Sequence, residues 1–269
     1  THSYNSFQKD PIEIMAKHFK NVYVLVRYKP IAEISQIFSI NALKIHRKEH
    51  AIDLAGKPDN AHVYPTALFY LPTKKGYKNL GEKHYKTVLK QIKKLTIEFD
   101  IIHCHFTWSA GYVGMRLKEK FKKPLIITGH GYDVYNLPFR DDDWRNKITE
   151  VLNSADVITT VSNSNLRKLE ELKIKPPIEV IPNGFNSDLF KPMDKEKCRK
   201  ELNLPQDKTI ILTVGNLVPI KGQKYLIEAM KEIIKEHPKT LCYIVGGGPL
   251  KSKLQKEITY KNGVMDGPY

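Results

Sequence analysis

Short apolar runs alternate with amphipathic stretches along most of this chain. Asn21–Arg27 (NVYVLVR) is β-branched and aromatic over the length of a strand. Asp100–Phe106 (DIIHCHF), Pro124–Thr128 (PLIIT), Asp156–Val161 (DVITTV) and Ile178–Ile181 have the same character. Between the first two of these strands, Lys83–Phe99 places Val88, Ile92, Leu95 and Phe99 on one helical face. Lys83, Lys86, Lys90 and Lys93 form a basic stripe on another. Apolar strands separated by amphipathic helices predict a parallel sheet covered on both faces, an α/β doubly wound fold.

The pattern restarts after Pro192. Thr209–Val214 (TIILTV) and Leu241–Val245 (LCYIV) read as strands, Gly222–Glu236 and Pro249–Ile258 as helices. Ile181–Pro192 carries Pro182, Pro192, Asn-Gly and Asn-Ser, the chemistry of turns and linkers. The predicted domains are therefore 1–185 and 186–269. Asp10-Pro11-Ile12-Glu13 has an N-cap, a proline at the first helical position and an acidic third residue. It predicts a helix start at Asp10, with Thr1–Lys9 as a loop. The strand this architecture expects ahead of that loop is missing, and the second domain stops after about two βα units. Asn262–Tyr269 reads as loop, and both ends look truncated.

Composition narrows the partners. The 269 residues carry 44 basic against 29 acidic side chains, a formal charge of +15. That surplus favours anionic partners such as sugar nucleotides, acidic lipid headgroups or nucleic acid, or else is a solvated lysine-rich surface. Cys104, Cys198 and Cys242 lie far apart, which excludes a disulfide scaffold and a zinc ribbon and suits a reducing cytosol. No uncharged apolar run approaches the roughly 20 residues of a membrane span.

Candidate chemistry clusters after the strands. Thr128-Gly129-His130-Gly131-Tyr132-Asp133 follows one directly, at the carboxyl end where doubly wound folds bind ligands. His130 and Asp133 are expected to project from this loop; His130 either contacts a sugar or leaving group, or bonds backbone in a capped turn. His103 and His105 alternate onto one face of their strand, with His130 near on the next. No carboxylate or further cysteine stands at ligand spacing, which argues against zinc. His105 is expected to face the cleft and His103 to pack in the core.

Gly215-Asn216-Leu217-Val218-Pro219-Ile220-Lys221-Gly222 joins a strand to a helix. A glycine turn with a lysine at the mouth of a helix suits a phosphate, although an ordinary βα turn has the same appearance. Gly246-Gly247-Gly248-Pro249 either contacts a flat group such as a nucleobase or is a plain tight turn, with Pro249 starting the next helix. The Walker A and dinucleotide fingerprints are absent, as are serine-hydrolase and zincin motifs. The Lys83–Lys94 stripe and Lys44-Ile45-His46-Arg47-Lys48 suit either an anionic membrane surface or water. No nucleic-acid recognition motif is present, so no specific nucleic-acid partner is expected.

These stretches, in order and spacing, resemble the retaining GT-B-type glycosyltransferases of family four, the glycosyl transferases group 1. The likeness runs over roughly residues 100–258, through Asp100–Phe106, Ile127–Asp133, Ala155–Ser164, Ile181–Pro192, Leu212–Met230 and Tyr243–Leu250. It implies two Rossmann-like domains facing across a cleft, acceptor on the first and nucleotide sugar mostly on the second, which here is incomplete. It implies catalytic roles for His130, against the transferred sugar, and for Lys221, against the donor diphosphate. Gly215, Asn216, Lys221, Gly246, Gly247 and Gly248 would bind the donor. His2, His105, Asp133, Ser162 and Asn183 would line the acceptor side and the interdomain cleft.

The expected reaction moves a hexose from a nucleotide diphosphate sugar to a hydroxyl acceptor with retention of configuration. The acceptor would be a glycan or lipid-linked precursor, and no cofactor or metal is needed. The expected location is the cytoplasm, at the inner face of the membrane if the basic stripe binds it. Two departures stand out: Asn216 replaces a usual basic residue, and the glutamate pair that holds the donor lies past Tyr269. The rival readings are a non-catalytic nucleotide- or glycan-binding protein and a basic membrane or nucleic-acid surface binder.

Overall fold

A computed structural model of the protein describes residues 1, 3–30, 51–70 and 73–259. His2, the Lys44–Lys48 cluster and the loop predicted at Asn262–Tyr269 lie outside them. The chain divides into two compact units, Thr1–Gly184 and Phe185–Tyr269.

The first unit opens with helix α1 (Ser6–Ala16), strand β1 (Val22–Tyr28) and strand β2 (Ala61–Ala67), and β1 and β2 pair in parallel. Helices α2 (Lys74–Lys78) and α3 (Leu80–Lys94) lead into β3 (Ile102–His105). Then follow α4 (Tyr112–Phe121), β4 (Leu125–Gly129), α5 (Tyr132–Tyr135), α6 (Asp142–Asn153), β5 (Val157–Thr160), α7 (Asn163–Glu170) and β6 (Ile178–Val180). Strands β3, β4, β5 and β6 form one parallel sheet in sequence order. All four therefore present their carboxyl ends at the same edge. Leu125, Ile127 and Ile158 on this sheet are fully buried, each stabilising the fold by about 1.5–3 kcal/mol. They join Ile148 and Leu152 of α6 and Leu169 of α7 in one core.

The second unit holds α8 (Lys195–Glu201), β7 (Thr209–Val214), α9 (Gln223–Glu236), β8 (Thr240–Val245) and α10 (Lys251–Thr259), with β7 and β8 parallel. Its small core gathers Leu217, Ile227 and Leu254.

The parallel α/β architecture is as the apolar pattern predicts, but several boundaries move. Helix α1 starts at Ser6 and contains Pro11, so Thr1–Lys9 is not a loop. Tertiary contacts fix the early turn: Gln8 is 1% exposed and accepts the Ser3 amide, and the buried Lys9 ammonium bonds Asp53 at 2.8 Å. Those bonds outweigh the local preference for proline in the first turn. Helix α3 ends at Lys94 rather than running to Phe99, because Thr96 takes a left-handed φ of 48° and turns Ile97 into the core. Leu95 is left exposed, whereas Val88 and Ile92 are buried as expected. Helix α10 begins at Lys251, two residues after Pro249.

Candidate active site

The carboxyl ends of β3 and β4 bring together the residues picked out from HCHF and TGHGYD. Register pairs His105 with Thr128, one residue before β4 ends at Gly129. His103 and His105 share a face, their rings 4.5 Å apart. Cys104 turns to the opposite face, where it is buried. The Nδ1 of His105 lies 2.9 Å from the Nε2 of His130, and the two rings stack at 5.2 Å. Phe106 covers His130 from another side at 4.6 Å. Beneath them runs a polar chain: His103 Nε2 is 2.7 Å from Thr128 Oγ1, which is 2.6 Å from Thr159 Oγ1.

Two expectations for these histidines reverse. His105, expected to face the cleft, is 8% exposed, while His103, expected in the core, lies open at the sheet surface. The strand ends at His105, and the chain turns back over it through Phe106 and Thr107, which closes off the later ring.

Burial lowers the pKa of His130 to about 4. His105 is depressed further, by burial first and by both neighbouring imidazoles. Near neutral pH the His105 and His130 rings are uncharged. A neutral imidazole offers one donor and one acceptor nitrogen, which suits a sugar hydroxyl better than an anion.

Asp133 does not project from its loop. It is 4% exposed, and its Oδ1 accepts the amides of His130 at 3.1 Å and Gly131 at 3.0 Å. Its Oδ2 accepts the Thr107 amide at 2.9 Å, and Thr107 Oγ1 donates back to the Asp133 carbonyl at 3.0 Å. Burial raises this carboxyl's pKa against the pull of the amides. Its role is to hold the loop that carries His130, a job the sequence does not distinguish from ligand contact.

Ser162 stands past the end of β5 as the N-cap of α7, its Oγ accepting the Asn165 amide at 3.2 Å. That bond gives it a structural reason to be there. Asn183 follows β6 and is exposed. Both sit beyond the same carboxyl edge as the histidines.

In the second unit the two glycine-bearing loops interlock. Gly215 donates its amide to the Val245 carbonyl at 2.9 Å and Leu217 to the Gly247 carbonyl at 2.8 Å. A Cβ on Gly248 would fall 2.6 Å from the Leu217 carbonyl oxygen, and one on Gly246 would overlap that of Gly215. These two glycines are required by loop packing alone, whereas Gly215 and Gly247 face open space.

Lys221 is exposed at the end of a tight turn over Pro219–Lys221, and no ion pair holds it among the described residues. Gly222, with a φ of 71°, turns the chain into α9, whose N-terminus has no side-chain cap. Gln223, which no sequence motif singles out, is 4% exposed and donates from Nε2 to the Asn216 carbonyl at 3.0 Å. It fixes the loop, while the Asn216 side chain stays exposed. Uncapped amides, a helix dipole and a free ammonium together favour an anion. Among the described residues no group of three or more His, Cys, Asp or Glu could hold a metal ion.

Comparison with known proteins identifies the family and the fold. The pattern of Glycosyltransferase Family 4 matches residues 45–189, more than half of the chain, and that of Glycosyl transferases group 1 matches residues 194–263. A D-inositol 3-phosphate glycosyltransferase of Acidothermus cellulolyticus is 32% identical over 167 residues, 58% of this chain and 37% of the relative. One from Corynebacterium efficiens is 29% identical over 188 residues, 65% of this chain and 44% of the relative. The chain thus spans roughly two fifths of the length of these curated relatives.

Sucrose-phosphate synthase from Thermosynechococcus elongatus superposes with a TM-score of 0.69 at 21% identity, over 98% of this chain and 67% of that one. An α,α-trehalose-phosphate synthase from Burkholderia vietnamiensis gives 0.54 at 13% identity, over 90% and 70%. Matching sequence patterns over most of its length and a shared fold lead to one conclusion: the chain belongs to the family-four, group 1 glycosyltransferases, with the GT-B fold.

Proposed function

We propose that the protein transfers a hexose from a nucleotide diphosphate sugar to a hydroxyl acceptor, with retention of configuration and without a metal. The bond from the sugar's anomeric carbon to the diphosphate breaks, and a bond to the acceptor oxygen forms. The acceptor's proton passes to an oxygen of the departing diphosphate, so the products are the glycoside and the protonated nucleoside diphosphate. Charge accumulates on that leaving group, so stabilising it lowers the barrier. The observation that carries the reading is the N-terminus of α9, without a side-chain cap, beside an exposed Lys221 that pairs with no acidic group among the described residues. Lys221 and the Gly215–Gly222 loop take the diphosphate, and Gly247 leaves room for the nucleotide. His130, neutral and braced by His105 and Phe106, hydrogen-bonds the sugar being moved.

The acceptor is a glycan, a lipid-linked precursor or a phosphorylated polyol. The last is suggested by relatives named for D-inositol 3-phosphate. The place of action is the cytoplasm, at an anionic membrane face where Lys83, Lys86, Lys90 and Lys93, all carried on α3, meet the lipid.

The test is a screen of nucleotide diphosphate sugars with the protein at its full cellular length, reading release of nucleoside diphosphate. Release that depends on one donor and one class of acceptor is expected. Saturable nucleotide binding without any transfer would make the protein a binding module instead.

A further inference from the structure

Arg27, at the carboxyl end of β1, joins the two sheets of the first unit. Its Nη1 donates to Ser109 Oγ at 3.2 Å, and that hydroxyl lies 2.8 Å from the Nδ1 of His84. Ser109 is 0% and His84 2% exposed. Ser109 sits in the turn after β3, four residues beyond His105, so the guanidinium is held at the edge that carries the imidazole pair. Arg27 itself is of intermediate exposure, and burial is the leading influence on its guanidinium.

No carboxylate pairs with this cation among the described residues. Among the described residues the ionisable groups facing it are the hydroxyls of Tyr77, to which it is hydrogen-bonded, and Tyr70, the Thr1 ammonium and the His84 imidazole, and Lys29 lies 4.9 Å over the Tyr70 ring. Asp133, which acts on Tyr77, has both oxygens committed to backbone amides. His84 is driven well below its ordinary pKa, by burial first and then by Arg27, so the hydroxyl it supports faces a neutral ring. Bonding the Ser109 and Tyr77 hydroxyls occupies only part of the guanidinium fork. The remaining donors, and the absence of a counter-charge among the described residues, suit an anion that arrives from outside.

We propose that Arg27, steadied by Ser109 and His84 and backed by Lys29, binds a phosphate group of the acceptor. The assignment of that group to an acceptor rests on the glycosyltransferase reading; phosphate binding at Arg27 does not.

The experiment measures binding without turnover. Inorganic phosphate and glycerol 3-phosphate are titrated against the protein at constant ionic strength, alongside Arg27→Met and, as a charge control, Lys235→Ala, an exposed lysine paired only with Glu232 among the described residues. Vesicles with and without phosphatidic acid form a second arm. The expected result is saturable binding that Arg27→Met weakens at least tenfold and Lys235→Ala leaves within about twofold. Arg27 dependence in the soluble arm identifies a free phosphate monoester, and dependence only in the vesicle arm identifies a lipid headgroup. Equal binding by wild type and Arg27→Met in both arms, or no saturable binding, overturns the proposal. Should Arg27→Met fail to fold, phenylglyoxal labelling of the wild type decides the same question. Phosphate must slow modification of Arg27, and an unchanged labelling rate overturns the proposal. Loss of sugar transfer with phosphate binding intact would count against the glycosyltransferase reading alone.

Discussion

The carboxylate of Asp133 receives the amide of Thr107 at 2.9 Å, tying the turn that leaves β3 to the loop that leaves β4. Both imidazoles of the His105–His130 pair hang from these two segments, so their spacing is set by a buried side chain that touches neither ring. A hydrogen bond to a charged group contributes about 1.5–3 kcal/mol.

Asp133→Ala removes three such bonds and leaves the Thr107 amide buried without its acceptor. The expected loss is about 3 kcal/mol or more, read as a lower midpoint in urea unfolding monitored by circular dichroism. An unchanged midpoint would show that the amides find other partners and that Asp133 does not hold the loop.

His130→Asn keeps a polar group at the site but shortens it and breaks the 2.9 Å contact with His105. Transfer by the full-length protein is expected to fall about 100-fold or more in kcat, with donor affinity little changed. A kcat near that of wild type would take His130 out of the reaction.

Acid should weaken the fold before it touches the carboxylates. The His130 imidazole titrates near 4 when folded and near its ordinary value of 6.5 when unfolded. His84 and His105 are shifted in the same direction. Between those values the unfolded chain binds protons that the folded one refuses, so stability is fully present above pH 6.5 and declines as pH falls. The slope is at most about 1.4 kcal/mol per pH unit for each ring, and His130's share levels off below pH 4. Urea midpoints at pH 7.5, 6 and 5 check this. A constant midpoint would mean the rings accept protons in the folded state.

Lys221→Ala is expected to raise the dissociation constant for a nucleoside diphosphate about tenfold, the scale of one charge-assisted contact, while leaving stability unchanged. Calorimetric titration with UDP and GDP reads it. The exposed position of Lys221 makes a folding defect an unsuitable explanation for any loss. Unchanged affinity for both nucleotides would remove Lys221 from the donor site.

How much of this is legible in the chain depends on how local the cause is. Strand alternation puts His103 and His105 on one face, and the strand–loop pattern of TGHGYD brings His130 beside them, because both are consequences of residues a few positions apart. The inward turn of Asp133 is not legible: a carboxylate that binds its own loop and one that binds a ligand have the same sequence. Strand β2 gives no clear signal because Pro65 interrupts it and few of its residues are strongly apolar. It pairs in parallel with β1 all the same, and the Pro65 carbonyl is held by Gln91 Nε2 at 3.3 Å. The start of α1 departs from the expected place because a good capping pattern at Asp10 loses to contacts of Gln8 and Lys9. Arg27 and Ser109 are 82 residues apart, and no periodicity announces such a meeting.

Helix α4 packs on the reverse of the histidine-bearing strands with no room for a methyl group at Gly114. A Cβ added to Gly114 would lie 2.5 Å from the Cys104 sulfur and 2.6 Å from Leu125 Cδ1. The helix is therefore seated directly on the backs of β3 and β4, and any side chain placed there acts as a wedge. Because His105 follows Cys104 on the same four-residue strand, such a wedge would shift the imidazole pair from behind, through the thickness of the sheet. The spacing of the two rings is thus adjustable from the far side of the sheet, where a ligand bound at the rings makes no contact.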